Sequence, residues 1–211
     1  MRLPVTPRPA STLPPVTRRG QPAPVKSRLV TRVPLTTFVL LCLAGAPLAQ
    51  VRSLAPYQAT PPDVVDRMLT LARVGPGDVV YDLGCGDGRI VIAAARKFGA
   101  RGVGVDIDPD LIAKAQAAAR AAGVEDRVEF RVQDALTVDV SDASVVSLFL
   151  LAASNVKLRP ILTTQLRPGA RIVSHNFPIG DWEPQVVDTF RDTTGTARTL
   201  YLWTADGTVR P

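Results

Sequence analysis

The chain has 211 residues, 46% of them hydrophobic and 21% charged, enough for one domain and an appendage. Its formal charge of +6 is unevenly placed: seven of the 25 basic residues and none of the 19 acidic ones fall in positions 1–49, leaving 18 basic against 19 acidic residues from Gln50 onward. That balance removes the basis for nucleic-acid binding through a broad basic face, and one His and two Cys, with Cys42 in the leader, argue against a zinc site and leave no disulfide within the domain.

Residues 1–34 are rich in Pro, Arg and Thr without apolar periodicity and read as disordered. Residues 35–49 are different, with an uncharged core, Phe38 to Ala46, that falls short of the ~20 residues needed to span a bilayer. Behind a basic stretch this reads as a signal-like hydrophobic segment, although Pro47 spoils the cleavage sites after Ala46 and Ala49. The segment predicts membrane association or export. The domain is expected over 50–211.

Within it, Tyr57 reads as an anchor and Thr60 as an N-cap for a helix that opens at Pro61-Pro62-Asp63 and runs to about Val74, burying Val64, Val65, Met68, Leu69 and Ala72. After the turn Gly75-Pro76-Gly77-Asp78, the run Val79-Val80-Tyr81 is too short for a helix and suits a buried parallel strand ending at Asp82-Leu83. Glycines at 84, 86 and 88 then permit a sharp turn and close approach of a ligand to the backbone. A helix over Arg89–Phe98 follows, which places the loop at a helix N-terminus and at the carboxyl end of a strand, where open α/β sheets bind ligands.

A second strand, Gly102 to Val105, ends in Asp106. Asp108 and Pro109 then mark the start of an Ala-rich helix to Ala122, closed by Gly123, with Leu111, Ile112, Ala115 and Ala119 on its apolar side. Strand three is expected at Arg127–Val132 with Val128, Phe130 and Val132 facing inward, and strand four at Ser144–Leu150. A helix over Asn155–Leu166, strand five at Arg171–Ser174, and last strands at Val186–Phe190 and Thr199–Trp203 complete an α/β pattern.

The loop discriminates between ligands. Dinucleotide binding asks for G-x-G-x-x-G, but counting from Gly84 the sixth place is Arg89, one position after the third glycine. A carboxylate immediately before the glycines, Asp82, would repel a pyrophosphate yet accept hydrogen bonds from an ammonium group such as that of S-adenosylmethionine. Asp106 stands where a ribose-binding acid belongs.

Asp82-Leu83-Gly84-Cys85-Gly86-Asp87-Gly88 with Asp106-Ile107-Asp108 resembles motifs I and II of class I S-adenosylmethionine-dependent methyltransferases. The resemblance implies a Rossmann-like α/β fold: a mostly parallel seven-stranded sheet with an antiparallel last strand and helices on both faces. It implies S-adenosyl-L-methionine as cofactor, held by Asp82, Gly84, Cys85, Gly86, Gly88, Asp106 and Ile107, with Asp134 and Ala135 at the adenine. Tyr57-x-x-Thr60-Pro61, Ser147-Leu148-Phe149-Leu150-Leu151, Leu158-Arg159-Pro160 and Val173-Ser174-His175-Asn176-Phe177 through Asp181-Trp182-Glu183-Pro184 are similar to the small archaeal and mitochondrial protein-lysine methyltransferases and their bacterial relatives.

By that resemblance Tyr57 and Thr60 cover the cofactor, and Phe149, where relatives often have Tyr, lines an acceptor channel for a protein lysine. A small-molecule acceptor, a non-catalytic cofactor-binding module and a nicotinamide oxidoreductase remain as alternatives. No nucleic-acid acceptor is expected, because the end of strand four lacks the Asn/Asp-Pro-Pro-aromatic segment of enzymes that methylate the exocyclic amines of bases. The leader points to a membrane or export, whereas cofactor supply favours the cytoplasm. His175 reads as a satisfied structural histidine and Trp182 as a packing residue.

Overall fold

The computed structural model describes residues 53–211. The leader, its apolar segment 35–49 and the boundary at Gln50 lie outside the described residues.

Helix α1 spans Pro62–Leu71 and buries Val64, Val65, Met68 and Leu69. It ends three residues before the expected Val74 because Arg73 takes a left-handed conformation (φ 50°), which lets the Arg73 amide reach the Thr70 carbonyl and the Val74 amide the Leu69 carbonyl. This is a Schellman closure with an arginine in the place usually given to glycine. Thr60 does not cap the helix: the N-cap is Pro61, and no side chain bonds there.

Strand β1 (Val79–Leu83) leads through the glycine loop to α2 (Arg89–Phe98), then β2 (Arg101–Asp106) and α3 (Pro109–Ala122). Both ends of α3 follow from local chemistry. The Asp108 carboxylate accepts from the Asp110 and Leu111 amides, Pro109 occupies the first helical position, and Gly123 closes the helix with φ 66°. Strand β3 (Val128–Val132) is followed by a short 3-10 turn at Ala135–Thr137, then β4 (Val145–Leu148), α4 (Ala152–Gln165), β5 (Arg171–His175), β6 (Val186–Arg191) and β7 (Ala197–Thr204).

The seven strands are ordered β3-β2-β1-β4-β5-β7-β6. β1 to β5 pair in parallel, and β7 inserts antiparallel between β5 and β6. Apolar side chains pack both faces. On one, Val64, Met68, Ile90 and Ala94 of α1 and α2 meet Val80, Val145, Val173 and Leu200; on the other, Leu158 and Leu162 of α4 meet Tyr81, Leu148, Ile172 and Trp203. Trp182 packs on Trp203, whose indole N–H donates to the Trp182 carbonyl at 2.8 Å.

Two expected features shift. Val132 is 56% exposed, since β3 is an edge strand with its last residue beyond the helical cover. Strand β4 stops at Leu148, and Phe149 and Leu150 leave the sheet to line a cleft, so α4 begins at Ala152, before the expected Asn155. Pro160 is accommodated inside α4, with Thr163 Oγ1 donating to the Arg159 carbonyl one turn back.

The amino-terminal edge of the sheet is tied by one carboxylate. Asp78 accepts from the Gly75 amide at 2.8 Å, the Ser144 hydroxyl at 2.7 Å and the Arg171 guanidinium, which also donates to the Ala72 carbonyl at 2.7 Å. Burial pushes the Asp78 pKa up, but the Ser144, Gly75 and Arg171 donors outweigh it and hold the group below its ordinary value of 3.8. A lowered carboxyl pKa contributes stability that is present above the unfolded value and lost as pH falls through the folded one. Asp78→Ala is expected to lower the urea-unfolding stability of the full chain by about 1–3 kcal/mol at pH 7. The gap between variant and parent should narrow below the ordinary carboxylate value, and a gap independent of pH would contradict this account.

Candidate active site

The carboxyl ends of β1, β2 and β4 and the turn after β3 open onto one cleft of about 230 Å³. Across it stand, in strand order, Asp134 and Ala135 after β3, Asp106 and Ile107 at β2, Asp82 and the glycine loop at β1, and Phe149 and Leu150 after β4. Tyr57 and Thr60 line its outer side. Eleven of the residues named from the sequence therefore share one cavity, and Gly88 does not line it.

The loop is fixed by its own backbone. The Gly84 and Cys85 amides both donate to the Val105 carbonyl at 2.9 Å, and the Gly86 amide donates to Asp106 Oδ2 at 2.9 Å. Asp106 Oδ1 accepts from the Asp108 amide at 3.1 Å, so this carboxylate braces the loop as well as facing the cleft. Gly86 has φ 54°, and a Cβ there would stand 2.5 Å from the Tyr57 ring. Gly88 serves packing instead, because a Cβ would lie 2.5 Å from Phe130 and 2.8 Å from Ala115.

Asp87 and Arg89 were absent from the sequence-derived set. The Arg89 guanidinium grips Asp87 through Nε at 2.8 Å and Nη2 at 2.5 Å, while Nη1 donates to the Thr60 carbonyl at 2.8 Å. Their hydrogen bonds hold the Asp87 carboxyl below its usual range. Thr60 thus enters the site through its backbone. At the other end of the same segment, the Ser154 hydroxyl of α4 donates to the Leu54 carbonyl. Residues 54–60 form a strap fixed at both ends, with Tyr57 above Gly86 and its phenol pKa raised by burial and then by Asp87. Only the pairing of Asp87 with Arg89 two residues on carried a sequence signal for this clamp.

Asp82 is almost wholly buried, and among the described residues only the Ser147 hydroxyl donates to it, at 2.8 Å. Burial drives its pKa up to about 7, Ser147 opposes the shift, and Asp106 and Asp87 add to it. A carboxylate so short of donors, lining the cleft, fits a ligand that carries an ammonium group. Cys85 is a buried free thiol whose pKa is raised by burial and by the Asp82 and Asp106 charges.

His175 departs from expectation. It is fully buried, and among the described residues neither ring nitrogen has a hydrogen-bond partner. Burial, and then the Arg198 guanidinium, push its pKa down to about 4, with Asp192 opposing. The ring is neutral at neutral pH and is a poor base for an ammonium.

A parallel sheet with its strand order reversing at β1, one antiparallel strand inserted next to the last position, and a glycine loop after β1 define the class I S-adenosylmethionine-dependent methyltransferases. The model of the ANTKMT methyltransferase domain matches residues 82–186. The chain belongs to this methyltransferase family. The protein-lysine N-methyltransferase of Saccharolobus islandicus is 44% identical over 149 residues, covering 70% of this chain and 92% of the relative. The adenine nucleotide translocase lysine N-methyltransferase of Mus musculus is 35% identical over 152 residues, covering 72% of this chain and 66% of its own length. A crystal structure described as an RNA methyltransferase from Salinibacter ruber in complex with S-adenosyl-L-homocysteine superposes with a TM-score of 0.68 at 54% identity, covering 72% of this chain and 97% of that one.

A carboxyl pKa raised from 3.8 to about 7 means that the folded chain binds an extra proton between those values, so the Asp82 contribution to stability falls as pH rises across that window. Carboxyl carbon NMR of the full chain should show Asp82 titrating near neutrality, and Ser147→Ala should move the midpoint higher. A midpoint at the ordinary aspartate value in both chains would refute the buried-carboxylate description.

Proposed function

We propose that this methyltransferase acts on the ε-amino group of a protein lysine. The observation that carries the reading is the end of β4, where Phe149 and Leu150 turn out of the sheet to wall the cleft beside Asp82. In this reading Asp82 receives the cofactor's ammonium group, Asp106 and Ile107 its ribose region, and Asp134 and Ala135 its adenine. Gly84, Cys85 and Gly86 give backbone access, and Tyr57 and Thr60 close the outer side. Bound S-adenosylmethionine supplies an electrophilic methyl group, and the protein aligns it with an acceptor lone pair. Apolar walls serve that end because a lysine ammonium lacks a free lone pair, and its removal from water lowers its pKa toward the neutral amine.

RNA is the second reading, favoured by the description of the 54% identical Salinibacter ruber structure. The near-neutral charge from Gln50 onward weighs against it, since phosphate contacts dominate RNA affinity. Incubating the full chain with methyl-labelled cofactor and, separately, a lysine-rich histone fraction, total RNA or a small-metabolite extract tests the acceptor class. Label recovered as methyl-lysine after protein hydrolysis is expected. Label that ribonuclease releases, or that stays in the small-molecule fraction, would overturn the lysine reading.

The apolar segment 35–49 ends four residues before Ser53, which lines the cleft. We propose that it associates the chain with membranes. The full chain should float with anionic phospholipid vesicles and a variant lacking 35–49 should not. Equal flotation of the two would rule this out.

A further inference from the structure

Phe149 reaches the cleft from the end of β4, and behind it, one strand farther from the glycine loop, stands His175 at the end of β5. The ring centroids are 4.0 Å apart and the planes are tilted by 31°. His175 shares a face of β5 with Val173, which pairs with Ser147 of β4, and Phe149 follows just beyond the end of β4. His175 is wholly buried, and among the described residues Nδ1 and Nε2 have no hydrogen-bond partner. Burying polar atoms without a bond in return disfavours folding, and an apolar side chain of similar size avoids that penalty. No hydrogen bond to a described residue accounts for an imidazole here.

What it does supply is a flat ring smaller than a phenyl, stacked on the one aromatic residue at the acceptor end of the cleft. We propose that His175 is a positioning residue: its face fixes the plane of Phe149, and through Phe149 it sets the wall against which the acceptor amine lies. This rests on the reading of Phe149 as the acceptor wall. The effect runs through the ring face, not through proton transfer, because His175 does not line the cleft.

The test compares His175→Leu, which removes the flat face, with His175→Phe, which keeps a face and removes the nitrogens. In the full-length protein, His175→Leu is expected to keep or raise the melting temperature, to bind S-adenosylhomocysteine within about twofold of the parent, and to lose about tenfold in turnover on the labelled histone fraction, mainly in kcat. His175→Phe should recover part of that turnover. Independently of any acceptor, the Phe149 ring protons should lose their ring-current shift in His175→Leu and keep one in His175→Phe. A melting temperature lowered by several degrees in both variants would make His175 a structural residue and overturn the proposal, as would equal loss of turnover in both. If the parent chain labels no lysine, the acceptor reading fails, while the NMR comparison still decides whether His175 orders Phe149.

Discussion

Three successive amides of the glycine loop are spoken for by the end of β2: Gly84 and Cys85 by the Val105 carbonyl, Gly86 by the Asp106 carboxylate. The parallel register of β1 on β2 brings those groups level, with Leu83 opposite Val105. Everything at the cleft hangs on this junction. It turns the chain into α2, leaves Asp82 beneath the loop, and lets Tyr57 settle over a residue without a Cβ. Gly104 extends the same logic into β2, because a Cβ there would lie 2.7 Å from Phe130 and 2.9 Å from the Cys85 sulfur. A glycine of the loop and one of β2 make room for one phenyl ring, and that ring packs against the back of the loop.

The charge layout of the cleft follows from the strand order. Carboxylates cluster where β1, β2 and β3 end, while the β4 side is apolar and backed by a neutral imidazole. In the proposed reading, a cofactor with a cationic end and an acceptor that must become neutral make opposite demands on their surroundings, and adjacent strands would meet them separately. The Ser147 hydroxyl stands at the border, donating to Asp82 from the strand that two residues later supplies Phe149.

Much of this was legible in the chain wherever chemistry is local. Asp108, Pro109 and Gly123 mark both ends of α3, and the acid before three glycines marks the loop that lines the cleft. The failures have a common cause in contacts distant along the sequence. Thr60 has the hydroxyl of an N-cap, but what matters at that position is its carbonyl, claimed by Arg89 from 29 residues away. Apolarity cannot separate a strand from a cleft wall, so the pattern of β4 continues through Leu150, past the strand's end at Leu148. Arg73 in a left-handed turn carries no residue-type signal, so the helical pattern of α1 runs past Leu71, where the helix ends. Gly88 matches the cofactor motif yet answers to Phe130 on another strand. That no described residue pairs with His175 is a property of its surroundings alone.

Strand β7 lies between β5 and β6 although it is the last of the three in the chain. During synthesis the edge of β5 therefore has no neighbour until residues 197–204 have emerged, and β6 has nothing to pair with before then. Because the ribosome covers the most recent stretch of polypeptide, the sheet closes only once residues 197–204 have cleared it. A message cut short within the final hairpin would release a product with a bare, apolar β5 edge, the kind of surface that recruits other chains. Closure of the sheet thus depends on residues 197–204, far along the chain from the glycine loop.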